Sequence, residues 1–567
     1  MKEIIKQLVI DSLKEEASFV VEHPADISKG DYSTNVALVL AKKLKQNPVD
    51  FAQSLVVEIQ KTLPDTISKV EVAGPGFINF FLSEKFFVES IKEILNNKNE
   101  FGKVDGEFTG KKLAIEYTDP NPFKQFHIGH LMTNIIGEAL ARLAEWNSAE
   151  VKRFCYQGDV GRHVALTIWG LRFMETPFPE ETDSLSEKVK FLGTAYALGS
   201  KKIAETPEKE SEVQTINKKV YDRSDAEVNE VYDKGREWSL EHFEEIYKIL
   251  GTKFDQYFFE SMSAPVGVEI VKENTPKIFQ ESDGAIIFKG EEYGLHTRVF
   301  ITKEGLPTYE GKELGLAKLK YQSYPFDKGI VITANEQNDY FTVILKALSL
   351  IYPEIASKSS HISHGMFRTP EGKMSSRTGK VITGESLLQD MIETSFEKVK
   401  DRPLEDSEKK KISEQVAVGA IKYSILKQSI GKDIVFDKEK ALSFEGDSGP
   451  YLQYAHTRAI SVLRKAKEEG IDIDVEAKSG NSENSLSKIL YRFPEIIEEA
   501  FVLKAPQLVV TYLTELASAF NGYYANNVII DKANPQESSA RLAVVACFAT
   551  VMKNGLTVLG IPVPEKM

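Results

Sequence analysis

Apolar residues recur along this chain with two different periods, and the change of period divides it. Leu113, Ala114, Ile115, Glu116, Tyr117 and Thr118 form a short, largely apolar and β-branched run that predicts a buried strand, and Asp119-Pro120-Asn121-Pro122 stops it. Beyond the break, Leu131, Ile135, Ile136, Ala139, Leu140 and Leu143 recur at helical spacing. Similar apolar runs at 151–156 and 330–333 predict further strands, so strands alternate with helices from about 109 to 385. That alternation favours a doubly wound parallel sheet, with its ligand beyond the carboxyl ends of the strands. A charge-rich stretch of helical period at 184–250 interrupts it as an insertion. Residues 1–108 read as a helix, alternating elements ending in the apolar run 77–82 and a further helix, closed by the glycine-containing linker 102–110. From 386 to 567 the apolar period is helical almost throughout, with a polar break at 479–484. The expected fold class is therefore multidomain: a small α+β module (1–108), an α/β domain with helical insertions (109–385) and an all-α bundle (386–567).

Composition narrows the setting. With 567 residues, 42% apolar and 27% charged, the chain suits a protein of several domains, each large enough for its own core. No uninterrupted apolar run approaches a membrane span, and the first 16 residues carry acids between their helically spaced apolar positions, unlike a targeting segment. A cytoplasmic location without membrane association is expected. Cys155 and Cys547 are too few for a disulfide scaffold or a four-thiolate zinc site, so no zinc is expected and both read as buried small hydrophobes. A net charge of −13 argues against general nucleic-acid binding, which rests on neutralising phosphates. A nucleic-acid partner would need local basic patches, for which Lys409-Lys410-Lys411 and Arg464, Lys465 and Lys467 are the candidates.

Two segments carry candidate chemistry. His127-Ile128-Gly129-His130 falls at or just before a predicted helix start, where free N–H groups and partial positive charge attract phosphate. Two imidazoles three residues apart face the same way and can donate to oxygens that gain charge, and Gly129 admits a nucleotide close to the backbone. Far downstream, Gly372-Lys373-Met374-Ser375-Ser376-Arg377-Thr378-Gly379-Lys380 is a polar loop bearing three cations and three hydroxyls. Such a loop can close over a triphosphate and neutralise charge as pyrophosphate leaves. Either segment alone is a weak signal; the pair, in this order, points to nucleotidyl transfer from ATP.

With these two segments the chain resembles the class I aminoacyl-tRNA synthetases, whose HIGH and KMSKS signatures they match. More specifically it resembles arginyl-tRNA synthetases, nearly end to end. The similarity runs through Gly30-Asp31-Tyr32-Ser33-Thr34-Asn35, Val72 through Asn79, Glu116 through His130, Phe444 through His456 and Gly560 through Met567. The resemblance implies a Rossmann-like catalytic domain at 109–385, an N-terminal module that touches the elbow of tRNA, and a C-terminal stem and bundle that reads the anticodon. It implies ATP with Mg²⁺ as substrate, L-arginine and tRNA(Arg) as partners, and an activation step that waits for tRNA. His127, His130 and Lys373 would stabilise charge, and Gly129, Met374, Ser375 and Ser376 would contact ATP. Glu116, Tyr309 and Glu313 match the family's arginine-binding Glu, Tyr and Asp, so the last is here one methylene longer; Asn121 and Gln337 match positions that hold the substrate's amine and carboxylate. Asp159 and Gly161 resemble a turn at the floor of the site, although Val160-Gly161-Arg162-His163 departs from the tryptophan and glutamine common there. The loop departs too: Ser376 stands where KMSKS has its second lysine, so Arg377 or Lys124 would have to supply that charge.

The residue types fit such a substrate. A guanidinium is planar, always charged and rich in donors, so selecting it takes carboxylates placed to accept in a fork. Tyr309 and Glu313, four apart, share one face of a helical turn. A site that pairs every donor rejects lysine or citrulline by leaving buried acceptors unpaired, so no editing domain is expected. Two other readings stay open: a synthetase for another amino acid such as cysteine or glutamate, and a tRNA-binding relative that has lost catalysis. Paired carboxylates disfavour the former and intact histidines the latter. Nothing in the chain announces a dimerisation helix, so a monomer is expected.

Overall fold

The computed structural model describes residues 1–13, 17–370, 383–475 and 485–567. Spatially these group into two compact units, each discontinuous in sequence. The first comprises Met1–Gly102, Tyr454–Ile496 and Tyr512–Gly555. Its N-terminal part is an antiparallel sheet of β1 (Val21–Glu22), β2 (Tyr32–Thr34), β3 (Ile67–Ala73) and β4 (Phe77–Leu82) in the order β1-β2-β4-β3. Helices Lys2–Ser12, Val36–Leu44 and Pro48–Ile59 accompany it, and Ile5, Tyr32, Leu40, Ile59 and Phe80 fill the core between them. Tyr491, more than four hundred residues further on, is part of the same core. Beside it the Tyr32 hydroxyl donates to Glu495 at 2.6 Å, and Asn554 donates to the Lys98 and Phe101 carbonyls at 2.8 and 2.9 Å. The N-terminal module therefore shares one hydrophobic core and several hydrogen bonds with C-terminal helices.

The second unit comprises Lys103–Gln453, Ile497–Thr511 and Leu556–Met567. Its centre is the expected parallel sheet, made by β5 (Lys112–Glu116), β6 (Glu150–Gln157), β7 (Gln256–Phe259), β11 (Lys328–Ala334) and β12 (Ser359–His364) in the order β12-β11-β5-β6-β7. Every pairing is parallel. The chain runs outward from β5 in one direction and returns to its other side as β11, so the switch point lies between β5 and β11, where a doubly wound sheet binds its ligand. The insertion between β6 and β7 consists of helices Leu185–Glu205, Glu210–Asp222 and Ala226–Leu250. A second, antiparallel sheet of β8 (Gln280–Ser282), β9 (Ala285–Phe288) and β10 (Arg298–Ile301), ordered β10-β9-β8, lies outside the strands expected from the apolar pattern.

The helix Ile128–Trp146 follows β5, and Leu131, Ile135, Ile136, Ala139, Leu140 and Leu143 on it are each at most 2% exposed. Its approach to the sheet is close: a Cβ on Gly137 would fall 2.2 Å from the Tyr117 ring. Glu138 on this helix is buried but satisfied, accepting from Tyr117, Arg142 and Arg153 at 2.6, 2.7 and 3.1 Å. Those bonds fix the helix against the carboxyl end of β5 and so fix whatever its N-terminus carries. Cys155 and Cys547 are buried. Among the described residues one helix, Pro535–Val558, is long and apolar enough on average to cross a membrane, although Arg541 and Lys553 interrupt its apolar run; most of it is buried inside the protein, as for a core helix.

Candidate active site

A cavity of about 680 Å³ opens beyond the carboxyl ends of β5, β11 and β12. Glu116, Asn121, His127, Gly129, His130, Tyr309, Glu313 and Gln337, drawn from three separate stretches of sequence, all line it. Lys124 does not; its ammonium lies over the Tyr196 ring, 5.2 Å from the centroid. Lys373, Met374, Ser375, Ser376 and Arg377 fall outside the described residues, as does the polar break at 479–484.

One end of the cavity is built by the start of helix Ile128–Trp146. His127 is the N-cap; its Nδ1 accepts from the Gly129 N–H at 3.1 Å, while the Nδ1 of His130 accepts from the His127 N–H at 3.0 Å. This is the reciprocal logic of a capping box, made with imidazoles. A nitrogen that accepts from a backbone N–H carries no proton, so in the neutral ring the proton sits on Nε2. Each histidine thereby offers an Nε2–H donor. Both rings stay neutral: burial, then the His127 ring and Lys124, pull His130 down to about 3, and burial and Lys124 lower His127. A Cβ at Gly129 would come within 3.2 Å of the His127 Nδ1, so the absent side chain serves the cap as well as access.

The loop that leads into this helix is strained. Thr118, Asp119 and Phe123 take φ values of 82°, 48° and 67°, a region non-glycine residues seldom enter. Specific bonds hold them there: Asn134 donates to the Thr118 hydroxyl at 3.0 Å, Asp119 accepts from the Tyr156 N–H at 2.7 Å, and the Phe123 N–H donates to Ser239 at 3.0 Å. Asn121 lies against Gly158, where any Cβ would sit 2.3 Å from its Oδ1.

The other end is acidic. Glu116 ends β5, and Glu313 lies one turn along the helix Tyr309–Ser323 from Tyr309, which stands largely exposed. Burial and the nearby Glu116 charge push the Glu313 carboxyl up to about 8, and the same two causes raise Asp119. Two lysines are already engaged: Lys320 with Glu116 at 2.7 Å and Lys312 with Glu260 at 2.6 Å, all four buried. Asp119, Glu260, Arg298 and Tyr340 also line the cavity and were not singled out in the sequence. A turn-forming Asp gives no hint of burial, and a Glu after an apolar strand none of its partner.

Asp159 and Gly161 do not line the cavity. Asp159 is fully buried and accepts from Tyr232, Arg236 and the backbone and hydroxyl of Ser261 at 2.7–3.1 Å, which ties β6 to the insertion and to the helix after β7. Gly161 caps helix Arg162–Gly170 with φ 119°. His163 is a structural histidine, its Nε2–H donating to the Gly158 carbonyl at 2.9 Å, and burial holds it near 3. Among the described residues no group of three or more His, Cys, Asp or Glu is arranged to hold a metal ion.

Comparison with known proteins accounts for the whole chain. Residues 1–82 match the arginyl tRNA synthetase N terminal domain, 90–438 the catalytic domain of class I (R) tRNA synthetases, and 452–567 the DALR anticodon binding domain. The arginine–tRNA ligase of Clostridium acetobutylicum is 31% identical over 562 residues, covering 99% of this chain and 98% of that one. That of Thermococcus sibiricus is 32% identical, covering 100% and 98%. In fold the chain is similar to the arginyl-tRNA synthetases of Thermus thermophilus (TM-score 0.80, 24% identity, full coverage of both chains) and Plasmodium falciparum (0.79, 22%, 100% and 99%). A doubly wound sheet with paired histidines at one end of its cavity and buried carboxylates at the other, matched by catalytic and flanking domain models and by full-length relatives, belongs to the arginyl-tRNA synthetase family.

Proposed function

We infer that this protein is an arginine–tRNA ligase, which activates L-arginine with ATP and transfers it to tRNA(Arg). The observation that carries this is one cavity with neutral imidazole donors at a helix N-terminus and, across it, the carboxylates of Glu116 and Glu313, of which among the described residues Glu116 is ion-paired, with Lys320. An acidic substrate would meet repulsion there; a guanidinium supplies the missing charge.

ATP enters as its magnesium complex, with the phosphates toward His127, His130 and the helix N-terminus. An oxygen of the arginine carboxylate attacks the α-phosphorus, the bond to pyrophosphate breaks, and arginyl-adenylate forms. The Nε2–H groups donate to phosphate oxygens that gain charge in that step, with little reorganisation because the cap already fixes both rings. Lys124, together with Lys373 and Arg377 of the signature loop, adds positive potential on that side, and Met374, Ser375 and Ser376 complete the ATP contacts. Glu116, Glu313 and Tyr309 hold the guanidinium end, and Asn121 and Gln337 hold the amine and carboxylate. The terminal ribose hydroxyl of tRNA then attacks the adenylate carbonyl and AMP leaves; no covalent enzyme intermediate is needed. Residues 1–108 serve as the tRNA-contacting module, 109–385 as the catalytic domain and 386–567 as stem and anticodon-binding region. The enzyme works in the cytoplasm as a monomer and needs no zinc.

ATP–pyrophosphate exchange by purified protein, run with each amino acid and with or without total tRNA, tests the reading. Exchange with arginine alone, dependent on tRNA, is the expected result. Exchange with a different amino acid overturns the pocket, and none under any condition overturns the enzyme.

A further inference from the structure

A second, small cavity of about 40 Å³ lies behind the acidic end of the active site, lined by Glu116, Glu313 and Lys320 together with Ala114, Phe154 and Ile330. That is room for a water molecule or so, and far too little for a guanidinium on an alkyl chain. Glu116 and Glu313, with Val331 and Phe341, line both this cavity and the large one and so stand between the two; Lys320 lines only the rear one. On helix Tyr309–Ser323, Lys320 follows Glu313 by seven residues, close to two turns, and so projects from the same face. Its ammonium donates to Oε2 of Glu116 at 2.7 Å, with side chains only 10% and 3% exposed.

We propose that Lys320 is a positioning residue for arginine selection: from the rear cavity it holds one oxygen of Glu116, so that Glu116 presents the other to the guanidinium and Glu313 balances the substrate's charge. The proposal rests on the arginine reading above. Two carboxylates in one wall repel each other when both are charged. A fixed cation behind the wall offsets part of that repulsion without occupying substrate space. What remains is a site short of one positive charge, matched by arginine and not by a neutral isostere such as citrulline. Because substrate cannot reach Lys320, its influence passes through Glu116.

The groups facing Glu313 are Glu116 from β5, Glu310 and Lys320 from its own helix, Glu260 from the helix after β7, Asp119 from the loop after β5, and the hydroxyls of Tyr156 from β6 and Tyr340 from the helix after β11. Lys320 is the cation among them that draws its carboxyl downward, against burial and the four acids. Arginine-dependent pyrophosphate exchange by Lys320→Met, with tRNA present, is the decisive experiment. KM for arginine is expected to rise roughly 10- to 100-fold, with KM for ATP within about twofold, the size of a lost charge-assisted bond at one end only. The pH midpoint of kcat/KM for arginine is expected to move upward, and Lys320→Arg to recover most of the loss. In a Glu116→Gln background, which leaves no orphaned buried carboxylate at that position, Lys320→Met should cost less than about threefold, as non-additivity of coupled partners requires. An unchanged KM for arginine, equal rises in both KM values, an unmoved pH midpoint, or full additivity with Glu116→Gln would each overturn the positioning role while leaving the arginine reading standing. Wild-type protein that does not activate arginine would overturn that reading first.

Discussion

The two ends of the active-site cavity solve opposite problems. At the histidine end the caps are complete within the protein: each Nδ1 takes a backbone N–H, and the rings are neutral. At the acidic end carboxylates outnumber cations, and Glu313 is pushed up to about 8 by burial and its neighbour Glu116. On the proposed function the first end is finished before substrate arrives and meets charge that develops in the transition state, whereas the second is completed by the guanidinium in the ground state. Changes at the first should therefore fall on kcat, and changes at the second on KM and selectivity.

The largest effect is expected from His130→Ala, which removes an aimed donor: arginine-dependent exchange should lose about 10²–10³-fold in kcat with KM for arginine nearly constant. A loss carried instead by KM for arginine would erase the contrast. Next, Glu313→Gln should lower kcat/KM for arginine by about 10²-fold while leaving that for citrulline nearly unchanged, as loss of a charged acceptor predicts. Equal losses for both substrates would mean that Glu313 does not read charge.

The pH dependence separates the ends without mutation. Below about 8 the Glu313 carboxyl holds a proton that guanidinium binding must expel, so arginine binding should weaken by up to about tenfold per pH unit as pH falls. Calorimetry in buffers of different ionisation heat should detect the released proton. The folded carboxyl binds protons more tightly than its ordinary 4.5, so its contribution to stability is full below about 4.5 and lost as pH rises through about 8. Saturating arginine should suppress that loss in a thermal melt. At the other end His130, held near 3, stays neutral in the folded protein between pH 5 and 8, so its donor does not change there, while its contribution to stability falls as pH drops below its ordinary 6.5. The smallest effect is expected from Lys124→Ala, which stands off the cavity: roughly threefold in KM for ATP, as for a partly exposed charge. If that substitution instead abolishes adenylate formation while Arg377→Ala does not, Lys124 carries the charge missing at Ser376.

What could be read from the chain follows how local each signal is. The strand at 113–118, the sharp break and the helix behind the histidines were legible because periodicity and proline act within a dozen residues. The antiparallel sheet was not: β8 to β10 are three or four residues long, and only the Asp283-Gly284 turn between β8 and β9 hinted at a hairpin. Nor could one sequence join Tyr491 and Glu495 to the N-terminal module, since those contacts span hundreds of residues. In the site, the histidines announced themselves by position at a helix start, whereas Glu116, Asn121, Tyr309, Glu313 and Gln337 were found through likeness to a family. Lys320 and Asp119 were passed over because each has its importance through a partner on another element.

The paired caps at His127 and His130 narrow what these positions can become. Asparagine can place an amide oxygen where Nδ1 sits and keep the backbone bond, but its side chain is too short to carry a donor out to Nε2. Glutamine reaches that far and gives up the cap. Lysine brings charge with neither geometry. In the proposed reaction each ring spends one nitrogen on the cap and offers the other to phosphate, and none of these three side chains does both.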